Sequence, residues 1–222
     1  MLKYAKINAA QKHTASFIFL HGLGDTGHGW STIAGQLAEK LPHVRFIFPH
    51  APERPITLNF GMEMPGWYDI VSLADFDKQD EPGLMESRTK ISELIEAEIS
   101  LGIESDRIAI GGFSQGAAMS YLTGLTYPKK LAGIAILSGY LPIHKKIFSL
   151  ENIDVNRKIR IFSAHGTADP VVRYELGENS VKELQKNGYS VQFCSYPGME
   201  HSSSEQELRD LAGFLSTVLP KN

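Results

Sequence analysis

Cysteine is nearly absent: Cys194 is the one thiol in 222 residues, so no intramolecular disulfide can form. That fits a reducing compartment. Cys194 ends a strand-like run that puts Val191 and Phe193 on one face, and it reads as a small, partly buried residue rather than a reactive thiol. There is no excess of positive charge. Lys and Arg number 22 against 25 Asp and Glu, for a net charge of −3. With no basic stripe to grip phosphates, nucleic acid is excluded as a partner. No apolar run approaches the roughly 18 residues of a membrane span. The opening residues, Met1 to Lys6, lack the apolar core of a signal peptide. Neither an N-terminal Met-Gly pair nor a C-terminal Cys box is present to carry a lipid. Repeats, low-complexity tracts and Gly/Ser linkers are missing as well. Together these absences predict a soluble, cytoplasmic protein with no integral membrane association.

What remains is ordinary globular composition, 42% hydrophobic and 21% charged. The length predicts one domain over residues 1–222. A chain of this size should expose roughly 10,000 Å² when folded and bury about 70% of its unfolded surface. Short apolar runs occupy residues 16–20, 44–48, 107–111, 131–137 and 159–164, as strands buried on both faces do. Residues 189–193 alternate and suit a strand nearer an edge. Between the runs lie helical patterns. Ile91, Leu94, Ile95 and Ile99 share a face ahead of Gly102, and Val181 and Leu184 precede Gly188. Leu208, Leu211, Leu215 and Val218 form a last stripe, with Ser204 and Glu207 at capping-box spacing. This alternation predicts an α/β architecture: a mostly parallel central sheet with helices on both faces. Residues 51–85 break the rhythm. They hold four prolines, three methionines and Trp67 without clear periodicity, which predicts a lid or functional excursion.

Chemistry in such sheets collects at the carboxyl ends of strands. After the third run comes Gly112-Phe113-Ser114-Gln115-Gly116, then Ala117-Ala118-Met119, a good helix start. A serine on a strained strand-to-helix turn needs small residues two before and two after it, so that neighbouring backbone can pass. Ser114 is therefore the candidate nucleophile. A hydroxyl needs a base, and the base an orienting acid. With the chain order Ser, acid, His, the fifth run leads into His165-Gly166-Thr167-Ala168-Asp169-Pro170 and nominates Asp169. Only His201 lies beyond it, in a loop before the last helix. Asp154 precedes its strand and would sit at the wrong end of the sheet. Glu200 adjoins His201, and adjacent loop residues usually point apart. His165, at a strand end, reads as a structural hydrogen-bonding histidine. Two oxyanion donors are required. One is the backbone N–H of Gln115. The other is assigned to Leu23 in the glycine-rich loop His21-Gly22-Leu23-Gly24-Asp25-Thr26-Gly27. That loop fits neither nucleotide-binding fingerprint.

The stretches His21-Gly-Leu-Gly-Asp-Thr-Gly-His-Gly-Trp30, Pro49-His-Ala-Pro52, Trp67-Tyr-Asp-Ile70, Gly111-Gly-Phe-Ser-Gln-Gly116, Leu137-Ser-Gly-Tyr-Leu-Pro142, His165-Gly-Thr-Ala-Asp-Pro170 and Gly198-Met-Glu-His-Ser-Ser203 run in order over nearly the whole chain. On these the sequence resembles the acyl-protein thioesterase / lysophospholipase family of small carboxylesterases, within the α/β-hydrolases. The resemblance implies an α/β-hydrolase fold with no large separate cap domain. It implies hydrolysis of acyl thioesters on S-palmitoylated proteins, of lysophospholipids or of simpler esters. Family members are cytosolic, need no cofactor or metal, and often pair as homodimers. By position, Ser114, Asp169 and His201 match the catalytic set, and Leu23 and Gln115 the oxyanion hole. The chain departs at Ala117, where a third glycine is usual, at Tyr140, where Trp is common near the acyl site, and at Glu200, where an apolar residue is common. An acyl chain needs an apolar groove, for which Leu23, Trp30, Met62, Met64, Trp67 and Leu73 are candidates, with Tyr140 at its mouth. A short- to medium-chain carboxylesterase without protein-thioesterase activity is the alternative. A non-catalytic binding module is the more distant one.

Overall fold

The computed structural model of the chain describes residues 1–72 and 78–221. Each of the apolar runs is a strand. In chain order the strands are β1 (Tyr4–Ile7), β2 (Ala15–Leu20), β3 (Val44–Pro49), β4 (Glu53–Ile56), β5 (Met62–Pro65), β6 (Ile108–Phe113), β7 (Gly133–Leu137), β8 (Arg160–Gly166) and β9 (Ser190–Tyr196). Seven of them form one sheet in the order β1-β3-β2-β6-β7-β8-β9, parallel except for β1. The helices are α1 (Gly27–Lys40), α2 (Glu81–Ser100), α3 (Gln115–Thr126), α4 (Tyr174–Lys186) and α5 (Glu205–Val218).

The continuous apolar runs have a direct cause. Alternate residues of β2 feed opposite layers: Ile18 and Leu20 pack with α2 and α3, Phe17 and Phe19 with α1 and α5. Both faces of the sheet are covered, so the central strands are apolar along most of their length, and the polar side chains they do carry, such as Ser16, Ser163 and His165, are buried. α3 is buried on every side between the sheet and α2, which is why its sequence carries no charge. The exposed surface is 9735 Å², close to the roughly 10,000 Å² expected for the mass.

Three elements go beyond the sequence reading. β1 is a short antiparallel edge strand registered Tyr4 to Pro49, with alternating half-burial. α1 begins inside the glycine-rich loop, and its buried Trp30, Ala34 and Leu37 repeat at helical spacing. The irregular stretch 51–85 is shorter than expected. It contains the β4–β5 hairpin, and its last five residues already belong to α2. Asp80 caps that helix by accepting from Gly83 N at 3.0 Å, and Pro82 sits in the first turn.

At α5, Ser204 accepts from Glu207 N at 3.2 Å, one half of the capping box. The Glu207 carboxyl is fully buried, and its two oxygens have no hydrogen-bond partner among the described residues. Burial, reinforced by nearby Asp210, pushes this carboxyl up to about 8. An unfolded glutamate titrates near 4.3. Between those values the folded state holds one proton more than the unfolded state, so Glu207 lowers stability as pH rises through the window. Glu207→Gln is therefore expected to gain stability over the wild type on going from near pH 5 to near pH 8. Urea unfolding at the two pH values measures the difference.

Candidate active site

β2 is followed by β3 on one side and β6 on the other, so the strand order reverses between β2 and β6. Loops at the carboxyl ends diverge at such a point and leave a crevice. The register pairs Leu20 with Gly112 and so levels the ends of the two strands. Ser114 sits on the turn from β6 into α3 at φ 55°, ψ −118°, a strained backbone for a side-chain-bearing residue. The turn leaves no room. A Cβ at Gly112 would lie 2.4 Å from the Gly116 carbonyl carbon, and one at Gly116 would lie 2.2 Å from the Leu20 carbonyl oxygen. That contact is the physical content of the glycines flanking the serine.

Asp169 and His201 come from the next pair of strand ends. β8 and β9 are in register to Gly166 and Tyr196, and their loops are strapped together beyond it. Thr167 N donates to Tyr196 O at 3.0 Å, Ala168 N to Met199 O at 3.1 Å, and Gly198 N to Thr167 Oγ1 at 2.9 Å. The structure brings Ser114, His201 and Asp169 into one line. His201 Nε2 lies 2.9 Å from Ser114 Oγ, and His201 Nδ1 lies 2.7 Å from Asp169 Oδ2. The Asp169 side chain is fully buried. Burial alone would push its carboxyl upward. Donors from His165 and His201 and the Val171 N–H outweigh this and hold it well below the usual carboxylate range. A depressed aspartate contributes stability that is full above the ordinary aspartate range and is lost only as pH falls below it.

The glycine-rich loop lies opposite. His21 is fully buried, and its Nε2 accepts from Ala51 N at 3.0 Å. Its proton is therefore on Nδ1, which donates to Gly22 O at 2.7 Å. Burial holds this imidazole below its ordinary range, as the neutral tautomer requires. Gly24 N donates to Pro65 O at 2.8 Å, fixing the loop with Leu23 against the crevice. Gln115 opens α3, so its N–H has no partner within the helix. Its side chain is occupied elsewhere. Oε1 accepts from Trp67 N at 2.8 Å and Nε2 donates to Tyr68 O at 2.6 Å.

A cavity of about 470 Å³ opens over Ser114 and His201. Leu23, Trp30 and Tyr140 stand on its wall, together with Leu58, Ile70, Phe113, Val171 and Val172, which the sequence reading did not nominate for the groove. Phe113 is the variable residue ahead of the serine, and Val171 and Val172 follow Asp169-Pro170. Both positions were signalled by their place at strand ends. Three groove candidates are elsewhere. Trp67 is fully buried beneath the site, donating from Nε1 to His21 O at 2.8 Å, so it is scaffold and not wall. Met62 points to solvent on the hairpin, 60% exposed. Met64 is half-buried and accepts from Asn59 Nδ2 at 3.2 Å, off the cavity wall. Leu73 lies outside the described residues. Tyr140 and Tyr68 join their hydroxyls at 2.6 Å behind the wall. No cluster of His, Cys, Asp and Glu able to hold a metal occurs among the described residues. Nor is any helix among them long and apolar enough to cross a membrane.

The reversed strand order, the strained serine turn and the loops at the carboxyl ends define an α/β-hydrolase. A profile of the phospholipase/carboxylesterase family matches residues 3–219, and the chain belongs to that family of hydrolases. An acyl-protein thioesterase 1 of Neurospora crassa is 48% identical over 223 residues, covering 97% of this chain and 91% of its own. Its counterpart in Mycosarcoma maydis is 46% identical, covering 99% and 98%. Among solved structures, acyl-protein thioesterase 2 of Zea mays superposes with a TM-score of 0.87 at 28% identity, over 99% of this chain and all of its own. SOBER1 of Arabidopsis thaliana gives 0.87 at 32% identity, over 93% and 99%.

Proposed function

We propose that this protein cleaves long-chain acyl thioesters and esters, S-acyl groups on proteins foremost, through Ser114, His201 and Asp169. The observation that carries the reading is the apolar-walled cavity opening directly onto Ser114 Oγ and His201 Nε2. Relatives named acyl-protein thioesterase support the substrate class.

Ser114 Oγ attacks the acyl carbonyl as His201 Nε2 takes its proton. Asp169 holds the Nδ1–H tautomer and balances the imidazolium charge. The N–H groups of Leu23 and Gln115 receive the oxyanion, each donor contributing about 3–4 kcal/mol to the transition state. His201 then protonates the departing thiolate or alkoxide. Water, deprotonated by His201, attacks the acyl-enzyme and releases the acid. Neither step draws on a metal or cofactor. Lysophospholipids present an acyl ester open to the same attack. The second reading, a carboxylesterase confined to short and medium chains, is favoured by the modest cavity volume.

The test is kcat/KM on an S-palmitoylated peptide beside a lysophospholipid and a short-chain ester. A preference for the peptide is the expected result. Turnover of the short ester with little of the long chains would leave the catalytic reading intact and replace the substrate class.

A further inference from the structure

His165 is the sixth residue of β8 and is fully buried. Its Nε2 lies 2.7 Å from the Val172 carbonyl oxygen. A carbonyl only accepts, so Nε2 carries the proton and Nδ1 is bare. Nδ1 has no hydrogen-bond partner among the described residues, and a Cβ at Gly177 would lie 2.3 Å from it. That side of the ring is closed by α4. The Tyr174 ring meets the imidazole edge-on at 5.9 Å between centroids. The ring is thus held in one orientation, with one proton and one direction in which to offer it.

That direction is the Asp169 turn. Asp169 Oδ1 accepts from Val171 N and Val172 N, both at 2.9 Å. The Val172 carbonyl is the one His165 ties back, so the imidazole closes the turn whose amides hold Oδ1. The same Nε2–H lies 3.5 Å from Asp169 Oδ2, the oxygen that accepts from His201. A dry carboxylate is tolerated only when its lone pairs meet donors. Here the donors are two amides and the His201 ring, with the edge of a second imidazole 3.5 Å away on the far side.

We propose that His165 is a positioning residue for hydrolysis: it locks the Asp169 turn and keeps the carboxylate aimed at His201. The inference rests on the reading of Ser114, His201 and Asp169 as the catalytic set. It goes beyond a space-filling core histidine, because what matters is a donor at the Nε2 position and not the ring.

Two polar variants separate the roles. In His165→Gln the side-chain amide nitrogen reaches the place of Nε2. In His165→Asn the shorter side chain ends near the place of Nδ1 and leaves the Val172 carbonyl and Asp169 Oδ2 without the donor. Both are measured on a soluble thioester, with thermal melts alongside and Ser114→Ala as the reference for lost chemistry. The expected result is a fall in kcat of about 10²-fold for Asn, the scale of a misplaced catalytic group. KM should stay within a factor of about two, and Gln should recover most of the rate. Wild-type kcat in folded His165→Asn would overturn the inference, as would equal impairment of Gln and Asn. If Ser114→Ala itself keeps its rate, the catalytic reading is what fails. If Ser114→Ala is dead while both His165 variants are fully active, only the role of His165 falls.

Discussion

Ser114→Ala is expected to lower kcat by about 10⁶-fold, the scale seen when a serine nucleophile is removed from a complete catalytic set. The fold should survive. Among the described residues Ser114 Oγ makes one hydrogen bond, to a partly exposed His201, and the helix start is secured through backbone: Ser114 N to Leu137 O at 2.9 Å and Ala118 N to Ser114 O at 3.1 Å. An alanine at this position inherits the same strained φ, so the variant neither relieves nor adds much strain. The measurement pairs kcat with a fluorophosphonate probe and a thermal melt. A folded protein that is unlabelled and inactive is expected. A folded variant with near-normal turnover would remove Ser114 from the mechanism.

The second large effect is expected at Asp169→Asn, a fall of about 10⁴-fold in kcat with KM little changed. The reason is a count of lone pairs. Asp169 accepts from Val171 N, Val172 N and His201 Nδ1, with His165 Nε2 close by on the same oxygen as His201. An amide has one accepting oxygen. Turned toward Val171 and Val172, it presents an NH₂ to His201 and selects the tautomer whose Nε2 already carries a proton. Turned the other way, it sets an NH₂ against two amide N–H groups. Either arrangement costs the base its function or the turn its anchor. A pH–rate profile and single-turnover acylation of the variant check this. Loss of KM with preserved kcat would place Asp169 in substrate binding instead.

Much of this architecture is legible without coordinates, and the reasons are local. Strands buried on both faces cannot hide their apolar runs, so β2, β3, β6, β7 and β8 read directly, and the alternating run of β9 gives away its edge position. Ser114 and His201, which line the cavity, and Asp169, buried behind His201, are the three residues that strand-end placement and chain order nominate, because a parallel sheet sends every carboxyl end to one side. Other features fail to read for equally physical reasons. β1 is four residues long and half-buried, too short for a period to declare itself. α1 starts within glycines that signal a loop, and its core stripe is sparse. The onset of α2 was marked by Asp80 and Pro82, but the apolar stripe begins later. Composition could not distinguish Trp67 from a groove residue, since a tryptophan that walls a cavity and one that braces its floor look alike in sequence. Burial and the bond to His21 O decide between them.

The hydrogen bonds behind the cavity wall bear on how this enzyme could be re-engineered. Tyr140 touches the cavity and also grips Tyr68, whose carbonyl in turn holds the Gln115 side chain. A library that varies Tyr140 to change chain-length preference therefore also samples the seating of Gln115, the residue proposed to supply an oxyanion donor. Selectivity and turnover are not separable traits along this route. Productive paths should begin at Leu58 or Val171, wall positions with partly exposed side chains outside that linkage, and reach Tyr140 only with a compensating change at Tyr68.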